Sequence, residues 1–203
     1  MKIRTILIAM MISCPMILPA QHDPKAKSLL DQTAETYTRS AGITIHFSGS
    51  QQGTLLLHDK QFKLDCGGII SWFDGTTQWS YVADNQEVNV STPTEDELRA
   101  INPYLLLTLY KQGFNYTYLG QKSLKGATVS GVKLVPTDPS TNLKCITLYI
   151  NSQYQPVEIT IEDVNDNYQH LEVTSYQTGQ TFPDATFRFD PKAYPDAEVI
   201  DLR

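Results

Sequence analysis

The stretch Ile69-Ile-Ser-Trp-Phe-Asp-Gly-Thr-Thr-Gln-Trp-Ser-Tyr-Val-Ala-Asp-Asn-Gln-Glu-Val-Asn-Val90 decides the fold. It reads as three short strands joined by two turns. Asp74-Gly75 makes the first turn, because glycine tolerates the positive φ of a tight hairpin. Asp84-Asn85-Gln86 makes the second. Trp79 and Tyr81 are two residues apart, so a strand sets both rings on one face. A sheet that commits large aromatics to one face must cover that face, and what covers it bears directly on function.

Working outward, the same period-two pattern recurs on both sides. Ile43, Ile45 and Phe47 alternate with Thr44, His46 and Ser48, and Leu55, Leu57, Phe62 and Leu64 continue the apolar set. Further along, Phe114, Tyr116 and Tyr118 alternate, followed by a strand between Gly126 and Pro136. Ile146, Leu148 and Ile150 come next, and Val157, Ile159 and Ile161 face away from Glu158, Thr160 and Glu162. Leu171 with Val173, and then Phe187 with Phe189, suggest two more strands. Seven or so such strands, apolar on one face and polar on the other, predict an antiparallel sheet packed on one side. The tail Pro191 to Arg203 is interrupted by proline and reads as edge or coil.

Two segments break the alternation. Asp23-Pro24 caps and opens a helix that runs through Arg39, with Leu29, Leu30, Ala34 and Tyr37 at helical spacing. Between Thr92 and Gly113, Thr94 and Glu97 have the spacing of a capping box. Asn102-Pro103 then starts a second helix through Leu105, Leu106 and Leu109. Apolar nearly all round, that helix is predicted to plug or line the face of the sheet. The chain thus reads as α+β, a single domain over residues 21–203 with no linker or internal repeat.

The first twenty residues read as a cleaved secretory leader. Lys2 and Arg4 precede the apolar run Ile6 to Ile17, and Leu18-Pro19-Ala20 ends on a small residue. Met11-Ile12-Ser13-Cys14 also looks like a box before a lipidated cysteine. The apolar run continues past it through Pro15 to Leu18, where a polar tether would be expected. The formal net charge is −6, and losing Lys2 and Arg4 with the leader takes it to −8. Such an acidic chain is unsuited to nucleic acid, whose phosphates repel it. Cys66 and Cys145 remain after cleavage; an oxidising compartment permits a bridge, but Cys145 lies opposite the apolar set of its strand whereas Cys66 shares the face of Phe62 and Leu64.

No catalytic constellation emerges, and the chain is expected not to be an enzyme. No two of His22, His46, His58 and His170 have the i, i+4 spacing of a helical zinc site. There is neither a Gly-x-Ser-x-Gly elbow nor a phosphate-cradling glycine loop. Cys66 reads as a small buried residue rather than a nucleophile. Asp163, Asn165, Asp166 and Asn167 lack the twelve-residue calcium loop and read as a turn. No metal or cofactor is expected.

The order of several short motifs carries the reading further. These are Gly53-Thr-Leu-Leu-Leu57, Phe62-Lys-Leu64, Asp74-Gly-Thr-Thr-Gln-Trp-Ser-Tyr81 and Asn102-Pro-Tyr-Leu-Leu106, then Leu134-Val-Pro136, Ile146 to Ile150 and Ala185-Thr-Phe-Arg-Phe-Asp-Pro191. Together they resemble the outer-membrane lipoprotein carrier family. The resemblance implies a strongly curved antiparallel half-barrel whose concave apolar face is covered by helices. It implies a periplasmic monomer that takes lipoprotein acyl chains from an inner-membrane lipoprotein-releasing transporter and passes them to an outer-membrane acceptor. The candidate acyl-chain residues are then Phe47, Leu55, Leu57, Phe62, Leu64, Trp79, Tyr81 and Val88 from the first half of the sheet. Phe114, Tyr116, Ile146, Leu148, Ile159 and Phe187 come from the second half, and Leu105, Leu106 and Leu109 from the lid. One departure stands out: where the family carries an arginine after the strand matching Gly53 to Leu57, this chain has His58-Asp59-Lys60, so no latch residue is assigned. The alternative on the same fold is a membrane-anchored lipoprotein acceptor or envelope lipid sensor, which depends on lipidation of Cys14.

Overall fold

A computed structural model describes residues 22–94, 110–111 and 113–203. The helix α1 spans Pro24–Thr38, with Asp23 as its cap: the amides of Lys25 and Ala26 donate to Asp23 Oδ1 at 2.8 and 3.2 Å. Its buried stripe is Ala26, Leu30, Thr33, Ala34 and Tyr37. The second helix expected from Asn102 lies outside the described residues, apart from Tyr110 and Lys111, which form a turn.

Among the described residues, twelve strands follow. They are β1 (Ile43–Gly49), β2 (Gly53–His58), β3 (Gln61–Cys66), β4 (Ile69–Phe73), β5 (Gln78–Val82), β6 (Glu87–Ser91), β7 (Phe114–Leu124), β8 (Ala127–Pro136), β9 (Leu143–Ile150), β10 (Pro156–Asp163), β11 (Tyr168–Thr178) and β12 (Glu198–Asp201). They form one sheet in the order β12-β6-β5-β4-β3-β2-β1-β11-β10-β9-β8-β7. Every strand pairing is antiparallel except β12 with β6. The ends β12 and β7 do not pair, so the sheet stays open. At the turn expected from Asp74-Gly75, the amides of Thr76 and Thr77 donate to Asp74 Oδ1 at 3.0 and 2.9 Å, and Gly75 takes φ +100°.

Register fixes which residues share a face. One line across the sheet runs Tyr176, Ile45, Leu55, Leu64, Ser71, Ser80, Asn89, and a parallel one runs Thr178, Ile43, Leu57, Phe62, Phe73, Gln78, Ser91. Both are apolar across β1–β3, and the first turns polar at β4, the second at β5. The opposite face does the reverse: Lys63 pairs with Trp72, Trp72 with Trp79 and Trp79 with Val90, while Tyr81 pairs with Val88. The expectation of a sheet packed on one side is therefore corrected. The apolar face changes sides along the sheet, and each side has its own cover.

On the first face, α1 joins two clusters. Ala26 and Leu30 pack with Tyr110, Tyr116, Val132, Leu134, Ile146, Leu148 and Ile150, whereas Tyr37 packs with Ile43, Leu55, Leu57, Phe62 and Phe73. On the other face, the C-terminal segment covers β3–β6. Phe189 and Tyr194 each meet Trp72 edge-on at 5.7 Å, and Tyr194 lies 4.7 Å from Tyr81 between ring centroids. Arg188 pairs with Asp74 at 3.2 Å, and the strand β12 then locks on to β6. Phe187 and Phe189 do not form the expected strand: Asp184–Phe187 is a 3-10 turn and Phe189 is coil. Pro183 and Pro191 flank this stretch and withhold the amides a strand would need.

Candidate functional site

Strand alternation delivers the apolar side chains of seven strands, β1–β3 and β8–β11, to one cavity of about 240 Å³. Its walls include Ile45, Phe47, Leu55, Leu57 and Leu64 from one flank, and Leu134, Ile146, Leu148, Ile159 and Ile161 from the other. Leu171, Val173 and Tyr176 of β11 complete the floor between them. Leu64 and Leu134 stand on β3 and β8, six strand steps apart. In a flat sheet with strands ~4.8 Å apart they would be separated by roughly 29 Å. That they line one hollow means that the sheet curves around it, so this face is concave. The cavity borders both clusters that α1 joins. Its volume falls just below the roughly 300–1,000 Å³ common for small-molecule sites.

The lining is almost wholly hydrocarbon. Its polar members are Gln51, Cys66, Gln169 and the hydroxyl of Tyr176. Burial pushes the Tyr176 hydroxyl up to about 12, so it stays protonated at any physiological pH. Burial, and then the neighbouring Asp65, also raise the Cys66 thiol. The thiol donates to Gln51 Oε1 at 2.9 Å. A raised thiol without an adjacent base is a poor nucleophile. Cys145 points to the opposite face, where its thiol donates to Glu162 Oε2 at 3.2 Å, and both cysteines are free. Among the described residues no group of three His, Cys, Asp or Glu is placed to hold a metal ion.

Of the residues singled out from sequence, Phe47, Leu55, Leu57, Leu64, Ile146, Leu148 and Ile159 line this cavity. Phe62 is buried beside it on the same face, its ring tilted against Phe73 at 5.6 Å between centroids. Phe114 and Tyr116 belong to the cluster beneath α1, where Tyr116 meets Tyr110 edge-on at 5.9 Å. The Tyr110 hydroxyl in turn donates to Asp31 Oδ1 of α1 at 2.5 Å. Trp79, Tyr81 and Val88 are corrections: they project from the convex face, on the side covered by the C-terminal segment. Phe187 is also misplaced by the sequence reading; it is fully buried against His58 and Phe182, outside the cavity. Leu105, Leu106 and Leu109 lie outside the described residues.

The walls Ile45, Leu134, Ile161, Leu171, Val173 and Tyr176 were not singled out from sequence. All but Tyr176 share an alternating strand with a chosen residue or carry its pattern, so parity could have found them. Tyr176 could not be found that way. A register shift in the β1–β11 pairing between His46 and Phe47 lets Val173 and Tyr176, three residues apart, face the same hollow.

A family model described as "Outer membrane lipoprotein carrier protein LolA" matches residues 17–165. The chain belongs to the LolA family. No curated protein sequence matches it. An uncharacterized conserved protein from Thermus thermophilus superposes with a TM-score of 0.63 at 14% identity, covering 87% of this chain and 99% of that one. The Mycobacterium tuberculosis lipoprotein LppX gives 0.48 at 13% identity, with 79% and 98% covered. A putative outer membrane lipoprotein-sorting protein domain from Vibrio parahaemolyticus gives 0.44 at 12% identity, with 80% and 97% covered. The LolA-family chain described here thus has a large, curved, open antiparallel sheet with a hydrocarbon-lined hollow on its concave face.

Proposed function

We propose that this protein is a periplasmic carrier that shields the acyl chains of lipoproteins and shuttles them from the inner to the outer membrane. The observation that carries this reading is the hollow itself: a continuous apolar lining on the concave face of a LolA-family sheet, whose polar members among the described residues are uncharged. A buried methylene contributes ~0.8 kcal/mol, so one long acyl chain in water costs on the order of 10 kcal/mol. A hydrocarbon trough offsets that cost by area burial alone and needs no reaction. Because such binding is non-directional, the load can be released to a partner that buries the same area. On this reading the leader ends at Ala20, residues 21–203 form the carrier, and a releasing transporter and an outer-membrane acceptor are its partners. The carrier needs neither catalysis nor a cofactor.

The test is to purify the protein from its native compartment, extract it and analyse the extract by mass spectrometry. Recovery of acylated species, together with displacement of a fluorescent acyl probe by a synthetic lipopeptide, is the expected result. An extract without acylated species and a probe that never binds would overturn the reading.

A further inference from the structure

The hollow has two unlike ends. Where β1, β2 and β3 run under α1, the clustered residues Ile43, Leu57, Phe62 and Tyr37 are all buried. At the other end of the same strands the lining passes to Gln51, on the β1–β2 turn, and Gln169, near the start of β11. Both glutamines are exposed, so this end is the mouth. It is held in shape from behind: the Ser50 amide donates to the His170 carbonyl at 2.8 Å, and the His170 amide donates to Ser50 Oγ at 2.9 Å. That double link joins the residues next to Gln51 and Gln169, both of which line the hollow. Cys66 lies against Gln51 and completes the polar edge.

Beyond Leu64 the concave face continues through Ser71, Ser80 and Asn89, with Ser71 Oγ and Ser80 Oγ 3.2 Å apart and Gln78 Nε2 donating to Ser80 Oγ at 3.1 Å. Along this line the hydrocarbon gives way to hydroxyls and amides, whereas the line that leaves the mouth at Cys66 runs through Ile69 and Val82 to Glu87. The charged residues of the same strands take the other face: Lys63 and Asp65 on β3, Lys133 on β8, Glu158 and Glu162 on β10, and Glu172 on β11. Glu87 and Glu198, on the distant β6 and β12, lie on the concave side instead, and both are anionic.

We infer that Gln51 and Gln169 form a head-group subsite that selects acyl chains joined to an uncharged, hydrogen-bonding ester or amide head. The chain enters with its methyl end towards Leu57 and Tyr176, and the carbonyls and N–H or O–H groups of its head meet the two amides. Side-chain amides both donate and accept, which suits a glyceryl ester or the first peptide groups of an acylated chain. Among the described residues no lysine or arginine lines the hollow, and the protein's net charge of −6 opposes the approach of a phosphate head. This inference rests on the acyl-carrier reading and narrows it.

The experiment compares 1-monopalmitoylglycerol with lysophosphatidic acid carrying the same palmitoyl chain, each titrated against a bound fluorescent acyl probe. Two rim hydrogen bonds predict that the neutral lipid binds about tenfold more tightly. The Q51A/Q169A variant should bring the two affinities within about threefold by weakening the neutral ligand, and Q51K/Q169K should reverse the preference. All four changes are at exposed positions, and circular dichroism checks that the variants fold. Equal affinity of wild type for the two lipids, or a preference untouched by Q51A/Q169A, overturns the subsite while leaving the carrier reading in place. Failure of both lipids to displace the probe from a protein that binds it also overturns the subsite. A protein that binds no acyl probe overturns both.

Discussion

Trp72 and Leu148 are both buried apolar residues on alternating strands, yet they face opposite sides of the sheet. Trp72, 3% exposed, is held between Phe189 and Tyr194 on the convex side. Lys63 Nζ lies 5.6 Å from its ring centroid, so a cation covers part of what the C-terminal segment leaves. Leu148 lines the hollow. The two positions therefore separate stability from binding. Trp72→Ala removes a large ring from a packed aromatic cluster and should lower stability by ~3–5 kcal/mol in urea unfolding. Measured well below its lowered midpoint, its affinity for an acyl probe should stay within about twofold of wild type, because the ring never reaches the concave face. A tenfold loss of probe affinity in folded Trp72→Ala would mean that the two faces are coupled.

Among the elements, α1 is set by a cap with two duties. Asp23 Oδ1 accepts from the first turn of the helix, while its Oδ2 accepts from the Tyr118 amide of β7 at 3.3 Å. The backbone amide of Asp23 also donates to the Tyr116 carbonyl at 3.1 Å. The bonds its carboxylate accepts hold that carboxyl below the usual aspartate range, the Ala26 amide foremost. Asp23→Ala should cost ~1–2 kcal/mol in denaturant unfolding, at the upper part of the range for a lost cap because the strand amide loses its acceptor too. Asp23→Asn should recover most of that loss, since an amide oxygen caps nearly as well; equal losses in the two variants would show that charge, not capping, is the main effect. This helix was legible in the sequence from Asp23-Pro24 and a 3.6-residue stripe, as was the Asp74-Gly75 hairpin. The face of each strand was not. Alternation says that Trp79 and Tyr81 point the same way, but not which way. The deciding fact is remote: a C-terminal segment, read from sequence as one strand and a tail, folds back over the convex side. For the hollow, the walls on regular strands could be read by parity, while the register shift hid Tyr176.

At the scale of the whole molecule, the sheet is a single hydrogen-bonded surface with two separate packing regimes. The strands β4–β6 bury Trp72, Val88 and Val90 outward under the C-terminal segment, and Phe73 with β1–β3 and β7–β11 packs inward under α1. Val88 and Phe187, both fully buried, show that the outer cover is as dry as a core. The inner regime, by contrast, is divided: among the described residues its two clusters border the hollow. Walls that face a void lose dispersion partners on that side. A bound acyl chain restores them and converts two clusters into one continuous core, so loading should act on global stability. A ligand that binds only the folded chain contributes about 2.7 kcal/mol at a hundred times its Kd. For a domain of this size each 1 kcal/mol moves Tm by roughly 2–4 °C. Saturation with a long-chain acyl ligand should therefore raise Tm by about 5–11 °C in a thermal melt. Under the same conditions a ligand shortened to a few carbons should give almost no shift, since stabilisation follows the apolar area buried. Replacing Ile159, a wall at the centre of the hollow, with aspartate should abolish the ligand-dependent shift, because the cavity then holds an unpaired carboxylate that hydrocarbon cannot satisfy. If long and short chains raise Tm equally, the stabilisation arises elsewhere on the molecule, and the hollow is not where the two clusters are joined.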